Sequence, residues 1–325
     1  MSNKILYFPY INVPDTAWFS RMLLYWDEVG AIIPYDFIDN PEKLNCHTRS
    51  LVTEELIQQI IPSQYLWKIP NFRNAFTHYL TQFDASILDK RRSAFIDQRM
   101  FKIHIEKMEG IESDLVDLKL AKRIDYAWYY VEKDTAIEFM SYLAATLGKI
   151  SELDFAPTTD DISYLNKFLS SSGSVIATER ILEKLRLEVL SDILPAPTRR
   201  LSAFEIKNFK DSHHNDLKSF RNNVERELIT IADINDPELK KRRIELFKEE
   251  SADQIELIID AMKKSGFGNI GLSKVGAIVS AVPGVSSLVG LANAVLDAFR
   301  KEDISRINPN FLYAAFAQKE LLVKS

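Results

Sequence analysis

The sequence predicts an α/β amino-terminal unit, built of mostly parallel short strands with helices, followed by an all-α carboxy-terminal region organised around a helical hairpin. Three observations carry this. Short β-branched and aromatic runs alternate with helix-period segments up to about residue 160. Between residues 199 and 264 there is no glycine and charge density rises, and two apolar stripes at three- and four-residue spacing follow one another there. The implied layout is an α/β domain over 1–160, a helical connector over 161–198 and a helical domain over 199–325. The last divides into an αα-hairpin (199–264) and a Gly-rich apolar hairpin (266–299).

With 325 residues, 46% of them hydrophobic, the chain can bury two cores. Lys and Arg total 41 against 46 Asp and Glu, a net charge of -5. Neither sign dominates enough to point to a polyion, so nucleic acid is not the default partner. The single cysteine, Cys46, makes no internal disulfide or thiolate cluster, which fits a reducing cytoplasm. The opening MSNKILYFPYINVPD lacks a basic stretch followed by a long apolar one and does not read as a signal peptide.

Lys4 to Tyr10 (KILYFPY) reads as a strand stopped by Pro9. Asp15 suits an N-cap, and Trp18, Met22, Tyr25 and Trp26 recur on one helical face. Val29 to Pro34 is the next strand, which completes a βαβ unit and predicts a parallel pair. A helix is expected over Leu51 to Ile60 and around Leu115, Leu118 and Leu120. Strands are expected over Phe101 to Met108 (FKIHIEKM), Ala127 to Val131 (AWYYV) and, more weakly, Leu153 to Pro157 (LDFAP). Asp134 is placed as the cap of a helix carrying Ile137, Met140 and Leu143, with Gly148 as its stop.

In the charged region Leu217, Phe220, Val224, Leu228 and Ile231 step by 3, 4, 4 and 3. Asp236-Pro237-Glu238 is a strong helix start, and Ile244, Phe247, Ser251, Ile255, Ile258 and Met262 continue the spacing. Two such stripes joined by a short turn predict an antiparallel hairpin with coiled-coil character. Val275 to Leu296 carries no charge and as one helix would span about 33 Å. Pro283-Gly284 divides it into two pieces too short to cross, which favours a buried hairpin over a membrane span.

Familiar chemistries are weakly represented. Gly266 to Gly271 spells G-x-G-x-x-G, but no strand precedes it, so it reads as a helix stop and connection. Asp192 with Glu205-Ile206-Lys207 has the residue types of a metal-dependent nuclease at loose spacing, and a solvated helix face accounts for them. The five histidines make no metal-spaced set, and His213-His214 read as surface polar residues. No cofactor or metal is called for. Ligands of open α/β sheets sit beyond the strand carboxyl ends. There the sequence places Tyr10, Asp36, Glu132, Asp160 and Asp161, a candidate acidic cleft for a divalent cation or acid-base work, although strand-to-helix loops also need such residues as caps.

The blocks YFPY…WFSRMLLYWDEVGAIIP (Tyr7 to Pro34), AWYYVEKDTAIEFMSYLAATLG with PTTD (Ala127 to Asp160) and LPAP (Leu194 to Pro197) resemble a bacterial family of uncharacterised proteins across most of the chain. The resemblance implies a bacterial cytoplasmic protein and assigns no activity or catalytic set. The first functional expectation is a non-enzymatic interaction or regulatory protein that binds a protein partner or a second copy. Its stripe would be Leu217, Phe220, Val224, Leu228, Ile244, Phe247, Ile255, Ile258 and Met262. The second is a metal-dependent hydrolase using the acidic cleft. The third is a stress or phage-defence effector that releases 275–296 into a membrane.

Overall fold

The computed structural model describes residues 3–96, 100–160, 174–194, 201–264 and 307–322. The chain forms two compact units. The first comprises 1–19 and 26–173, the second 20–25 and 174–325.

In the first unit, β1 (Lys4–Tyr7), α1 (Ala17–Tyr25) and β2 (Glu28–Ile32) make the expected βαβ turn, with β1 and β2 parallel and Ile5 opposite Val29. β1 and β2 are almost wholly buried, as parallel strands covered on both faces are, which is why they read as continuous apolar runs. β3 (Gln58–Ile60) extends the sheet beyond β2, and β7 (Ala156–Thr158) joins beside β1, so the order is β3-β2-β1-β7, all parallel. The helix expected over 51–60 is displaced: α3 spans Cys46–Thr53, and the chain then turns through Glu55 at positive φ into β3.

Between β3 and β7 lies a second sheet that is not parallel. After α2 (Asp36–Asp39), α3, α4 (Phe72–Thr81) and α5 (Ala85–Ile96) come β4 (Met100–His104), α6 (Ile111–Asp117), β5 (Ala121–Arg123) and β6 (Trp128–Glu132), with antiparallel order β4-β6-β5. The FKIHIEKM and AWYYV runs are thus partners, Phe101 opposite Val131 and His104 opposite Trp128. Both runs hold the strands read from their period, although the first ends at His104 rather than Met108. Their antiparallel pairing is not readable from period, because alternation is the same in parallel and antiparallel ladders.

α7 (Lys133–Gly148) joins β6 to the return strand β7. Ten of its sixteen residues are buried, and Ala136, Ile137, Phe139, Met140, Leu143, Ala144 and Leu147 share one core with Leu6, Phe8 and Ile32 of the parallel sheet and Ile103 and Val131 of the antiparallel one. The cap of α7 is Glu132, not Asp134: its carboxylate accepts the N–H groups of Asp134 at 3.0 Å and Thr135 at 2.8 Å. At α1 the capping side chain is Thr16, which accepts the Phe19 N–H, while Asp15 lies 3.7 Å from His47.

Gly148 closes α7 for a packing reason. Its backbone is not left-handed, but a Cβ there would lie 2.3 Å from the Phe155 carbonyl oxygen. Gly148→Ala is expected to cost about 1–3 kcal/mol, because backbone rather than a flexible side chain must move. Urea unfolding followed by tryptophan fluorescence measures this, since all four tryptophans lie in the first unit.

The second unit is helical among the described residues: α8 (Ser174–Ile193), α9 (Ala203–Ser212), α10 (His214–Ala232), α11 (Pro237–Lys264) and α12 (Leu312–Ala317), with residues 20–25 of α1. Ser202 and Glu205 form a reciprocal capping box at α9, and Asp236 Oδ1 accepts the Leu239 N–H at the start of α11. The helical hairpin is α10 and α11. The Gly-rich segment 266–299 and the motif Gly266 to Gly271 lie outside the described residues. Among those described, no helix is long and apolar enough to cross a membrane.

Candidate functional site

The first unit holds a cavity of about 540 Å³, within the range of small-molecule sites. It opens beyond the carboxyl end of β1, where open α/β sheets place ligands, and the loop that follows β1 supplies Pro9, Tyr10, Ile11 and Asn12. The antiparallel sheet forms another wall with β4 and Trp128 of β6, and Ala136 and Met140 of α7 a third. The topology explains the placement: inserting one sheet between β3 and β7 of the other brings β4 against the loop after β1.

The chemistry of the lining is basic and aromatic. Lys43, Lys102, Lys107 and His104 contribute to it and no carboxylate does. Phe37, His104 and Trp128 meet edge to face, His104 and Trp128 at 4.9 Å between centroids, and Lys102 sits over the Trp128 ring at 4.3 Å.

Lys107 is 2% exposed. It sits at the end of a single 3-10 turn (Ile105–Lys107) that breaks the alternation of β4 and turns the residue inward. Its Nζ donates to the Pro9 carbonyl at 3.1 Å, and burial draws its pKa down to about 7. His104 is also 2% exposed. Burial outweighs the pull of Glu106 and Asp36 and lowers its pKa, so the ring is neutral at pH 7. Nδ1 accepts the Glu106 N–H at 3.4 Å, which puts the proton on Nε2, a donor that has no hydrogen-bond partner among the described residues.

Glu106 fastens the turn to the loop after β2, accepting the backbone N–H groups of Tyr35 and Asp36. Asp36 in turn holds Lys43 Nζ at 2.7 Å. Two hydrogen-bonded carboxylates therefore brace the rim, and neither is hydrogen-bonded to Lys107 Nζ or to His104 Nε2.

The residues expected to form an acidic cleft are dispersed. Tyr10 lines the cavity and is 44% exposed. Asp36 stands behind Lys43, Glu132 is buried as the cap of α7, and Asp160 accepts the Tyr7 hydroxyl at 3.2 Å. Asp161 lies outside the described residues. Among those described, no three His, Cys, Asp or Glu side chains converge as a metal site. Of the nuclease-like set, Glu205 serves the capping box and Asp192 pairs with Lys248 at 3.1 Å. Lys107, His104, Phe37 and Trp128 were not singled out by the sequence. Lys107 and His104 lay in a half-buried strand whose polar positions looked solvent-facing, and nothing local signals that the strand ends at His104.

In the helical unit the nine stripe residues Leu217, Phe220, Val224, Leu228, Ile244, Phe247, Ile255, Ile258 and Met262 are each at most 6% exposed. Their apolar surface is covered by α8, α12 and each other rather than presented outward. Ser251, the polar member of the stripe, is satisfied by its own helix through the Phe247 carbonyl. His213 is no surface residue. It is buried, stacked on Phe316 at 4.4 Å, with Asp216 at 3.5 Å from Nδ1 and Glu320 at 3.3 Å from Nε2. Burial opposes its charge, but the two carboxylates prevail and raise its pKa.

Compared with known proteins, the chain matches no protein-family model, no curated protein and no solved structure.

Proposed function

We propose that the amino-terminal unit is a binding module for a small, largely apolar or aromatic molecule bearing an oxygen anion or a carbonyl group. The observation that carries it is a cavity lined by two buried residues that each carry a donor, His104 and Lys107, in a lining that contains no carboxylate. An unmatched buried donor costs about 1–3 kcal/mol, so a ligand that brings an acceptor recovers that energy on binding. Phe37, Ile103, Trp128 and Met140 supply the apolar walls that would hold its body. The reading is favoured over a partner-binding stripe because the stripe residues are buried in their own unit. It is favoured over metal-dependent hydrolysis because Asp36 and Glu132 are occupied by Lys43 and by the start of α7.

Titration with the fluorescent anion 1-anilinonaphthalene-8-sulfonate tests it. The dye is expected to bind, to be displaced by 2-naphthoate and not by 2-naphthylmethylamine. His104→Phe should weaken 2-naphthoate about tenfold, the loss of one hydrogen bond in a buried site. Equal displacement by the amine and the carboxylate, or an affinity indifferent to His104, would exclude the assignment.

A further inference from the structure

We propose that Lys107 is a covalent amine site, its Nζ condensing with the carbonyl carbon of an aldehyde or ketone held in the cavity to form a reversible imine. The inference rests on the cavity being a ligand site and adds the chemistry performed there.

Its basis is the setting of the side chain. A lysine buried for structural reasons is ordinarily paired, because an isolated ammonium is costly to desolvate. Lys107 is 2% exposed, has no ion pair among the described residues, and its hydrogen bond goes to a neutral main-chain carbonyl, Pro9 at 3.1 Å. The cavity's other lysines differ: Lys43 is bound to Asp36, and Lys102 lies over Trp128. A neutral amine has two N–H bonds and one lone pair. One N–H satisfies Pro9, and the lone pair is left for an electrophile. Burial supports this, since with a pKa of about 7 roughly half of Lys107 is free base at neutral pH, against well under about 1% of an ordinary lysine.

The step balances without an oxidant or reductant. The nitrogen lone pair forms the C–N bond as the carbonyl π pair moves to oxygen, and one proton passes from nitrogen to that oxygen to give a carbinolamine. The hydroxyl then takes a proton and leaves as water while the nitrogen lone pair forms the C=N bond, and the second nitrogen proton is released. One amine and one carbonyl thus become one imine and one water, and hydrolysis reverses the sequence. His104 lines the same cavity, and its Nε2–H, which has no hydrogen-bond partner among the described residues, would be the donor to the carbonyl oxygen.

The test is reductive trapping on the full chain: incubation with 2-naphthaldehyde at pH 7, sodium borohydride, and peptide mass spectrometry to map the secondary amine. Lys107 is expected to be modified roughly tenfold or more above the average lysine, with a pH profile whose midpoint lies near 7. Excess 2-naphthoate should protect it. Lys107→Met, and Lys107→Arg as a variant that retains a cation, should abolish the preferential adduct while leaving the circular dichroism spectrum unchanged. Uniform labelling of all lysines while 2-naphthoate still displaces the dye would overturn the amine site and leave the binding site standing. Preferential labelling of Lys107 without protection or dye binding would do the reverse.

Discussion

Lys107→Met is expected to stabilise the amino-terminal unit at pH 6 and to lose that advantage by pH 10. The Lys107 pKa is about 7 in the folded chain and near 10.4 when unfolded. Below pH 7 both states carry the proton, and the full cost of burying an ammonium opposes folding. Between pH 7 and about 10.4 the unfolded chain keeps a proton that the folded chain has released, so wild-type stability climbs with pH by up to roughly 1.4 kcal/mol per pH unit. A gap of that size amounts to about 4–5 kcal/mol across the window, an upper figure because solvent entry on protonation relaxes it. Methionine has a similar length, fits an apolar setting and carries no charge. It forfeits the hydrogen bond to Pro9, worth about 1–3 kcal/mol, so the variant should gain at pH 6 and fall slightly below wild type near pH 10. Urea midpoints from tryptophan fluorescence at pH 6, 8 and 10 decide the matter. A wild-type midpoint flat between pH 7 and 10 would mean that Lys107 remains charged in the folded state.

Glu225→Ala is expected to destabilise the helical unit by about 3–5 kcal/mol. Glu225 accepts both arms of Arg186, Nε at 2.7 Å and a terminal nitrogen at 2.8 Å, and also the Tyr25 hydroxyl at 2.7 Å. Arg221, 2% exposed, reaches the Tyr25 carbonyl at 3.4 Å. Removing the carboxylate strips the buried Arg186 of its two-armed partner, leaving Glu183 beside it, and takes a negative charge away from the neighbourhood of the buried Arg221. That uncompensated charge, more than the lost contact, sets the magnitude. Tyr25→Phe removes one neutral donor and should cost only about 1 kcal/mol. Thermal unfolding by circular dichroism at 222 nm separates the two. Burial raises the Glu225 pKa, but Arg186 and Tyr25 outweigh it and hold the carboxyl below its ordinary value. Its contribution is therefore present above the unfolded pKa, about 4.3, and is lost as pH falls through the lower folded one. In the Ala variant that acid-side loss should be smaller.

Much of the secondary structure was legible because its signals are local. The strands at Lys4 and Glu28, the cap at Asp236 and the stripes of α10 and α11 were all visible in period and punctuation. The errors share a cause. A cap was assigned to Asp134 when the preceding Glu132 has the reach to accept two N–H groups, and Gly148 was read through its own conformation when the decisive atom is the Phe155 carbonyl. The candidate site was less legible still. Strand-end carboxylates were placed where the fold rule sends ligands, and the cavity lies beyond the end of β1 with Tyr10 in its wall. Its polar groups instead come from an inserted sheet.

The amino-acid sequence by itself determined where helices and strands form, that an α/β unit precedes a helical one, and which faces are apolar, since each follows from repeats within a few residues. Only the tertiary structure decided which strands pair beyond the first two, what covers the stripes, and that Lys107 is buried at the wall of a cavity with the carbonyl of Pro9, 98 positions away, for a partner. Burial and desolvation are properties of what surrounds a group, and those surroundings are assembled from segments far apart in the chain.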